Sequence, residues 1–394
     1  MIRDLTDDEA RRALVLKWGM ADADVLPAWV AEMDYALAPP VAEALTEAIA
    51  IGMTGYPRFE MGGELGQAYA GFARRQFGHE VDPERVIPVV DVTAGVRVAL
   101  DVLSDPGPMV MPGPAYAPQL DVAQVTGRER VDLLLDPDAE RAELDLDRLD
   151  ALFAQGARTL LLTQPHNPWG RVFTRQELEG VRDVVVRHGA RVISDEIHAP
   201  LVLGGGTHVS YLDIDGTADH AVAVVAASKA FNTAGLRCAQ IISADAETHR
   251  RLVDVPMVRN DSWSPLGVVA AIAAYTQGDA WLDALRAADL AARPARDPAG
   301  RAPAGRADAT ARGDVPRQGR PARLRPRRPG GGGEGARAGL GLARARLPAG
   351  PRRTRARQHR DLAGAPDGDR SPPGHLANLA SPRRGHRRLL DSRA

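Results

Sequence analysis

Six short apolar runs, spaced by amphipathic stretches, set the limits on what this chain can fold into. They fall at 86–90, 108–111, 159–163, 191–194, 221–227 and 239–243. Each is short enough to be a buried strand and is bounded by polar or turn residues. Between and after them the spacing predicts helices at 96–103, 146–154, 175–188 and 246–253. In 175–188, Leu178, Val181, Val185 and Val186 recur at helical spacing behind Thr174, with Glu177 placed to complete a capping box. Strand–helix alternation of this kind predicts an α/β fold, a mainly parallel sheet with helices on both faces. Such sheets bind ligands beyond the carboxyl ends of their strands.

The pattern stops near residue 291. From there on the chain has no Phe, Tyr, Trp, Ile, Met, Lys or Cys, and carries 25 Arg against 8 acidic residues. The formal net charge of -1 therefore averages an acidic first part and a strongly basic tail. Arg, Pro, Gly and Ala in these proportions bury too little apolar surface to offset chain entropy, so the tail is expected to be disordered. Three origins for it stay open. Out-of-frame translation of GC-rich DNA yields mainly these four codons and is the leading expectation. A genuine disordered segment binding an acidic partner is weakened by the lack of aromatic residues among the arginines, so nucleic acid is not an expected partner. A folded domain is the third. The organisation expected is an N-terminal arm with part of a small domain at 1–45, a large domain at 46–265, an interdomain helical region at 266–290 and the tail at 291–394.

Cys238 is the single cysteine, which excludes an intramolecular disulfide and suits a reducing, cytoplasmic compartment. The first nine residues are acidic and lack the apolar segment of a signal peptide. The apolar runs are too short to span a bilayer.

Lys229 carries the strongest chemical signal. It follows the run 221–227 and opens the loop Ser228-Lys229-Ala230-Phe231-Asn232-Thr233-Ala234-Gly235-Leu236-Arg237. Burial makes a lysine easier to deprotonate, and the free amine attacks an aldehyde. With Asn167, Asp195 and His198 upstream, it points to a Schiff-base lysine and pyridoxal 5'-phosphate as cofactor. Asp195, after the run 191–194, is placed to keep a pyridine nitrogen protonated; a helix-capping aspartate is the plainer alternative. Asn167 in Gln164-Pro165-His166-Asn167-Pro168-Trp169-Gly170 is either a donor to the cofactor's phenolate oxygen or a turn residue. His198 is a second candidate for that oxygen, or a structural histidine. Thr93-Ala94-Gly95-Val96 reads as a helix start able to bind phosphate, with Arg237 as the balancing cation. Tyr116 is a candidate to stack on the ring, or core. Tyr56 offers a hydroxyl to the phosphate, or closes a turn.

These residues resemble the fold-type I pyridoxal-phosphate enzymes, and among them the cystathionine β-lyase-like carbon–sulfur lyases of the MalY/PatB type. The likeness runs from about residue 10 to about residue 290. It is carried by Lys17-Trp18-Gly19, by Leu26-Pro27-Ala28-Trp29-Val30-Ala31-Glu32-Met33-Asp34-Tyr35 and by Gly55-Tyr56-Pro57. Further on it is carried by Asn167-Pro168-Trp169-Gly170, Asp195-Glu196-Ile197-His198, the lysine loop and Arg259-Asn260-Asp261-Ser262-Trp263-Ser264-Pro265-Leu266-Gly267. The resemblance implies that Lys229 bears the cofactor, Asp195 pairs with its pyridinium, Asn167 with its phenolate oxygen, and Tyr116 stacks on it. It implies that Gly95, Val96, Ser228 and Arg237 hold the phosphate, with Tyr56 reaching in from a second subunit of a homodimer. The implied reaction is β-elimination from cystathionine or another cysteine S-conjugate. Two rivals remain, an aminotransferase and a non-catalytic homologue. The chain departs from the family at Ala226, where many members have serine. It departs again after Leu290, where a C-terminal lobe with a substrate-binding arginine is expected and no tail arginine sits in a matching motif.

Overall fold

The computed structural model describes residues 2–58, 63–135, 142–260 and 263–291. The tail at 291–394 therefore lies, past its first residue, outside the described residues, as do Asp261 and Ser262. Seven strands form one sheet: β1 (Val86–Val89), β2 (Met109–Gly113), β3 (Arg130–Leu134), β4 (Thr159–Thr163), β5 (Arg191–Asp195), β6 (Ala221–Val225) and β7 (Ala239–Ser243). Their order is β1-β7-β6-β5-β4-β2-β3. β7 runs antiparallel to both its neighbours and every other pairing is parallel. The expected mainly parallel α/β sheet is what the chain forms. β3 is the strand that the apolar runs do not reveal. It lies at the sheet edge, and Arg130 and Leu134 are exposed, so it needs no continuous apolar stretch.

The main helices are α1 (Asp7–Ala13), α2 (Pro39–Ala50), α3 (Gly63–Phe77), α4 (Val92–Leu103), α5 (Val122–Val125), α6 (Leu146–Ala154), α7 (Arg175–His188), α8 (Ser228–Phe231), α9 (Ala246–Val253), α10 (Pro265–Gln277) and α11 (Asp279–Ala291). α6, α7 and α9 span the residues that periodicity predicts. The capping box on α7 is present, with Thr174 Oγ1 accepting from the Glu177 amide. α4 begins four residues before the predicted start, because Asp91 caps it through the Ala94 amide at 2.8 Å.

Strand alternation sorts the core into two sides. On one side, Leu161, Ile193, Val222 and Ile241 meet Val96, Leu100 and Leu103 of α4 and Leu252 of α9. On the other, Leu160, Leu162 and Val192 meet Leu149 and Phe153 of α6 and Val181 and Val185 of α7. α2, α3, α10 and α11 share a further cluster with Val86, Val225 and Ile242. Phe231 of α8 stacks on Trp281 of α11, ring centroids 5.6 Å apart. Among the described residues no helix is long and apolar enough to cross a membrane.

α10 is pressed against the loop that carries the lysine. A methyl added at Gly267 would sit 2.3 Å from the Leu236 carbonyl oxygen and 2.9 Å from Cys238 Cβ. Neither neighbour is the far end of a flexible side chain. Gly267→Ala is therefore expected to cost about 1–3 kcal/mol, read as a lower urea midpoint. An unchanged midpoint would mean that α10 slides freely over the loop.

Candidate active site

The carboxyl ends of β2, β4, β5 and β6 open on one cavity of ≈ 170 Å³. Tyr116 arrives from the loop after β2, Asn167 from the loop after β4, Asp195 as the last residue of β5, and Ser228 and Lys229 from just beyond β6. His198, Ala226 and Arg237 complete the part of the lining that the sequence pointed to. Thus the predicted convergence of Asn167, Asp195 and Lys229 is present. Gly95, Val96 and Tyr56 are not among the residues that line the cavity.

Gly95 lies inside α4, not at its start. Its amide donates to the Asp91 carbonyl at 2.9 Å, so it is committed to the helix. Its missing side chain serves packing, because a Cβ there would come within 2.8 Å of Val224 Cγ1. Val96 is fully buried in the apolar cluster. The α4 residues that face the cavity are Val92 and Thr93. First-turn amides of a helix have no partner within it, so Val92 and Thr93 present free donors at the cavity. Tyr56 is 95% exposed.

The lysine loop holds two residues in left-handed backbone, Asn232 at φ 56° and Arg237 at φ 55°. Asparagine tolerates this region; arginine adopts it at a cost of about 1–3 kcal/mol, which packing elsewhere must offset. The result brings the Arg237 guanidinium onto the Asp91 carboxylate at the mouth of the cavity. Asn232 binds the N-terminal arm: its side-chain oxygen accepts from the Met33 amide at 3.1 Å, and its side-chain nitrogen donates to the Met33 carbonyl at 2.9 Å. The arm is braced in turn by Lys17, which donates to Asp34 at 2.9 Å, and by Trp18, whose indole donates to the same carboxylate at 2.7 Å.

Electrostatics separate the roles. Lys229 makes no hydrogen bond among the described residues, and burial lowers its pKa, partly opposed by the charges of Asp195 and Glu32. Asp195 is buried, which pushes its carboxyl up to about 6; the Ile197 amide and the Gln119 side chain pull it back down. Glu196 points the other way and is saturated, accepting from Ser194, Ser210 and the Tyr211 amide and pairing with His208 at 3.0 Å. Burial, then the nearby Lys229 and His166, push His198 down to about 3, so its imidazole is neutral at physiological pH. Burial raises the Cys238 thiol to about 12, which removes it as a nucleophile.

The donor set suits pyridoxal phosphate. A free amine meets an aldehyde, and a buried carboxylate meets a basic ring nitrogen. Arg237 and the first α4 amides meet an anion. Nδ1 of His198 and Oε1 of Gln119 are buried without a partner among the described residues, as expected where a polar ligand completes the site. Sequence reasoning missed Gln119, Asp91 and Asn232. None belongs to a strand-end signal, and each gains meaning only from a distant partner.

The raised Asp195 pKa sets a stability trend in the ligand-free protein. The folded chain holds the proton more tightly than the unfolded chain, so stability falls as pH rises from 3.8 to about 6 and then levels off. The loss is about 1–3 kcal/mol. Asp195→Asn should raise the melting temperature of ligand-free protein near neutral pH and give almost no gain near pH ~4. Equal melting curves for the two proteins at neutral pH would contradict the buried, ionised carboxylate.

Residues 29–291 match the aminotransferase class I and II family. The cystathionine β-lyase of Corynebacterium glutamicum is 38% identical over 281 residues, covering 70% of this chain and 73% of the relative. Cystathionine β-lyase PatB of Bacillus subtilis is 33% identical over 268 residues, covering 66% of this chain and 68% of the relative. Cystalysin from Treponema denticola, solved with pyridoxal 5'-phosphate, shares the fold at a TM-score of 0.67 and 24% identity, over 72% of this chain and 74% of that one. The chain belongs to the aminotransferase class I and II family of pyridoxal-phosphate enzymes, with its similarity running to cystathionine β-lyases of the PatB type.

Proposed function

We propose that this chain is a pyridoxal-phosphate-dependent carbon–sulfur β-lyase, releasing a thiol, pyruvate and ammonia from cystathionine or a related cysteine S-conjugate. One observation carries the reading: the unbonded amine of Lys229 and the buried carboxylate of Asp195 open into the same cavity. The cystathionine β-lyases among the relatives favour this chemistry.

When bound, the cofactor supplies an electron-poor ring that stabilises negative charge at the substrate Cα. The chain's own part is proton handling and placement. Lys229 Nζ, more easily deprotonated because it is desolvated, takes the proton from Cα as general base. The Asp195 carboxylate holds a proton on the ring nitrogen. Asn167 and the neutral His198 would serve the ring's phenolate oxygen, and Tyr116, 36% exposed at the cavity wall, would stack on the ring. Ser228, Arg237 and the amides of Val92 and Thr93 would hold the phosphate. Tyr56, exposed in its own subunit, is offered to the site of a second copy, which makes the working form a homodimer acting in the cytoplasm.

The family match itself favours a second reading, an aminotransferase, because the two reactions share every step up to Cα deprotonation. Pyruvate formed from cystathionine without a keto-acid acceptor marks the lyase; amino-group exchange with a keto acid marks the aminotransferase. That the match ends at residue 291 keeps a non-catalytic homologue in play. It predicts no turnover in either assay.

Lys229→Ala is expected to lower pyruvate release by at least about 10²-fold, and borohydride treatment should no longer fix pyridoxal phosphate to the chain, read by mass spectrometry. A Lys229→Ala protein that turns over cystathionine at the wild-type rate would sink the proposal.

A further inference from the structure

Gln119 is buried, 1% exposed, in the short turn Ala117–Gln119 that follows Tyr116. Its side-chain nitrogen donates to Asp195 Oδ2 at 2.6 Å, across 76 residues of sequence. The other carboxylate oxygen accepts from the Ile197 amide at 3.2 Å. The turn that brings Tyr116 to the cavity therefore also delivers the one side-chain donor that Asp195 has among the described residues. The amide has a single sensible orientation, because its flipped form would set oxygen against oxygen.

This arrangement is costly for packing alone. Oε1 of Gln119 is buried with no partner among the described residues. An apolar side chain of similar size would avoid that desolvation cost. The compensation lies in Asp195: an N–H donor stabilises the ionised carboxylate against its burial and fixes the direction in which its remaining lone pairs point. A carboxylate so held attracts a protonated ring nitrogen better than one free to rotate or to take up a proton.

We propose that Gln119 is a positioning residue that fixes the charge and orientation of Asp195, and so sets the affinity of the cavity for a ligand with a protonated ring nitrogen. This rests on the assignment of Asp195 under the proposed function. Gln119 acts through Asp195 and needs no contact of its own with the reacting atoms.

The test is binding, followed by absorbance titration of full-length protein. Two probes are used: pyridoxal phosphate and its carbocyclic analogue, in which carbon replaces the ring nitrogen. Gln119→Leu is expected to weaken pyridoxal phosphate by about tenfold or more, the weight of a hydrogen bond to a charged group. The same variant should leave the analogue's affinity within about threefold of wild type, because the analogue has no nitrogen for Asp195 to address. Gln119→Met, which also keeps the volume without the donor, should repeat the pattern even if the leucine variant folds poorly. Equal weakening of both probes would reduce Gln119 to a structural residue, and no change in either would remove it from the site; each overturns the proposal. A distinct failure is visible in the wild type. If it binds the analogue as tightly as pyridoxal phosphate, or binds neither, the assignment of Asp195 falls and this inference with it.

Discussion

Burial of a carboxylate at the end of β5 is the constraint around which the site is arranged. Asp195 and Glu196 are adjacent and both buried, yet the chain treats them differently. Glu196 is surrounded by donors and by His208, so its charge is satisfied internally. Among the described residues the Asp195 carboxylate has two donors, and it faces the cavity. A carboxylate in that state has a raised pKa and stored electrostatic demand. A cation delivered by a ligand would meet that demand, which would give the fold a reason to tolerate a group that destabilises it when the ligand is absent.

The lysine loop is held by connections from far away in the sequence. Asn232 ties it to Met33, 199 residues distant, through two hydrogen bonds. Arg237 ties it to Asp91 at the cap of α4, and Gly267 lets α10 close over it. The left-handed backbone at Asn232 and Arg237 is held among these contacts, which help offset its cost at Arg237. The N-terminal arm is thus part of the site's support: its Lys17–Asp34–Trp18 cluster stiffens the segment that Asn232 grips.

Much of this was legible in one dimension. α6, α7 and α9 follow from periodicity and caps, since helix formation reads neighbours three and four residues apart. Six of the strands follow from buried apolar runs, and the convergence of Lys229, Asp195 and Asn167 follows from their positions at or just past strand ends. β3 was not legible because an edge strand needs no unbroken apolar run. Gly95 was open to two readings, because a glycine near a helix start has two physical uses, phosphate approach and close packing. The packing use is visible only in the folded chain, where a Cβ there would come within 2.8 Å of Val224 Cγ1.

The sequence by itself determined which residue types stand at strand ends, where helices begin, and that the chain beyond residue 291 has a different composition from the rest. These are properties of short windows, where covalent neighbours and local periodicity suffice. Tertiary structure alone decided that Gln119 holds Asp195, that Asp91 meets Arg237, and that Asn232 grips Met33. Such pairs have no spacing rule. They exist because the sheet order brings distant loops to one edge, and the free energy of each contact depends on a burial that no single segment can create.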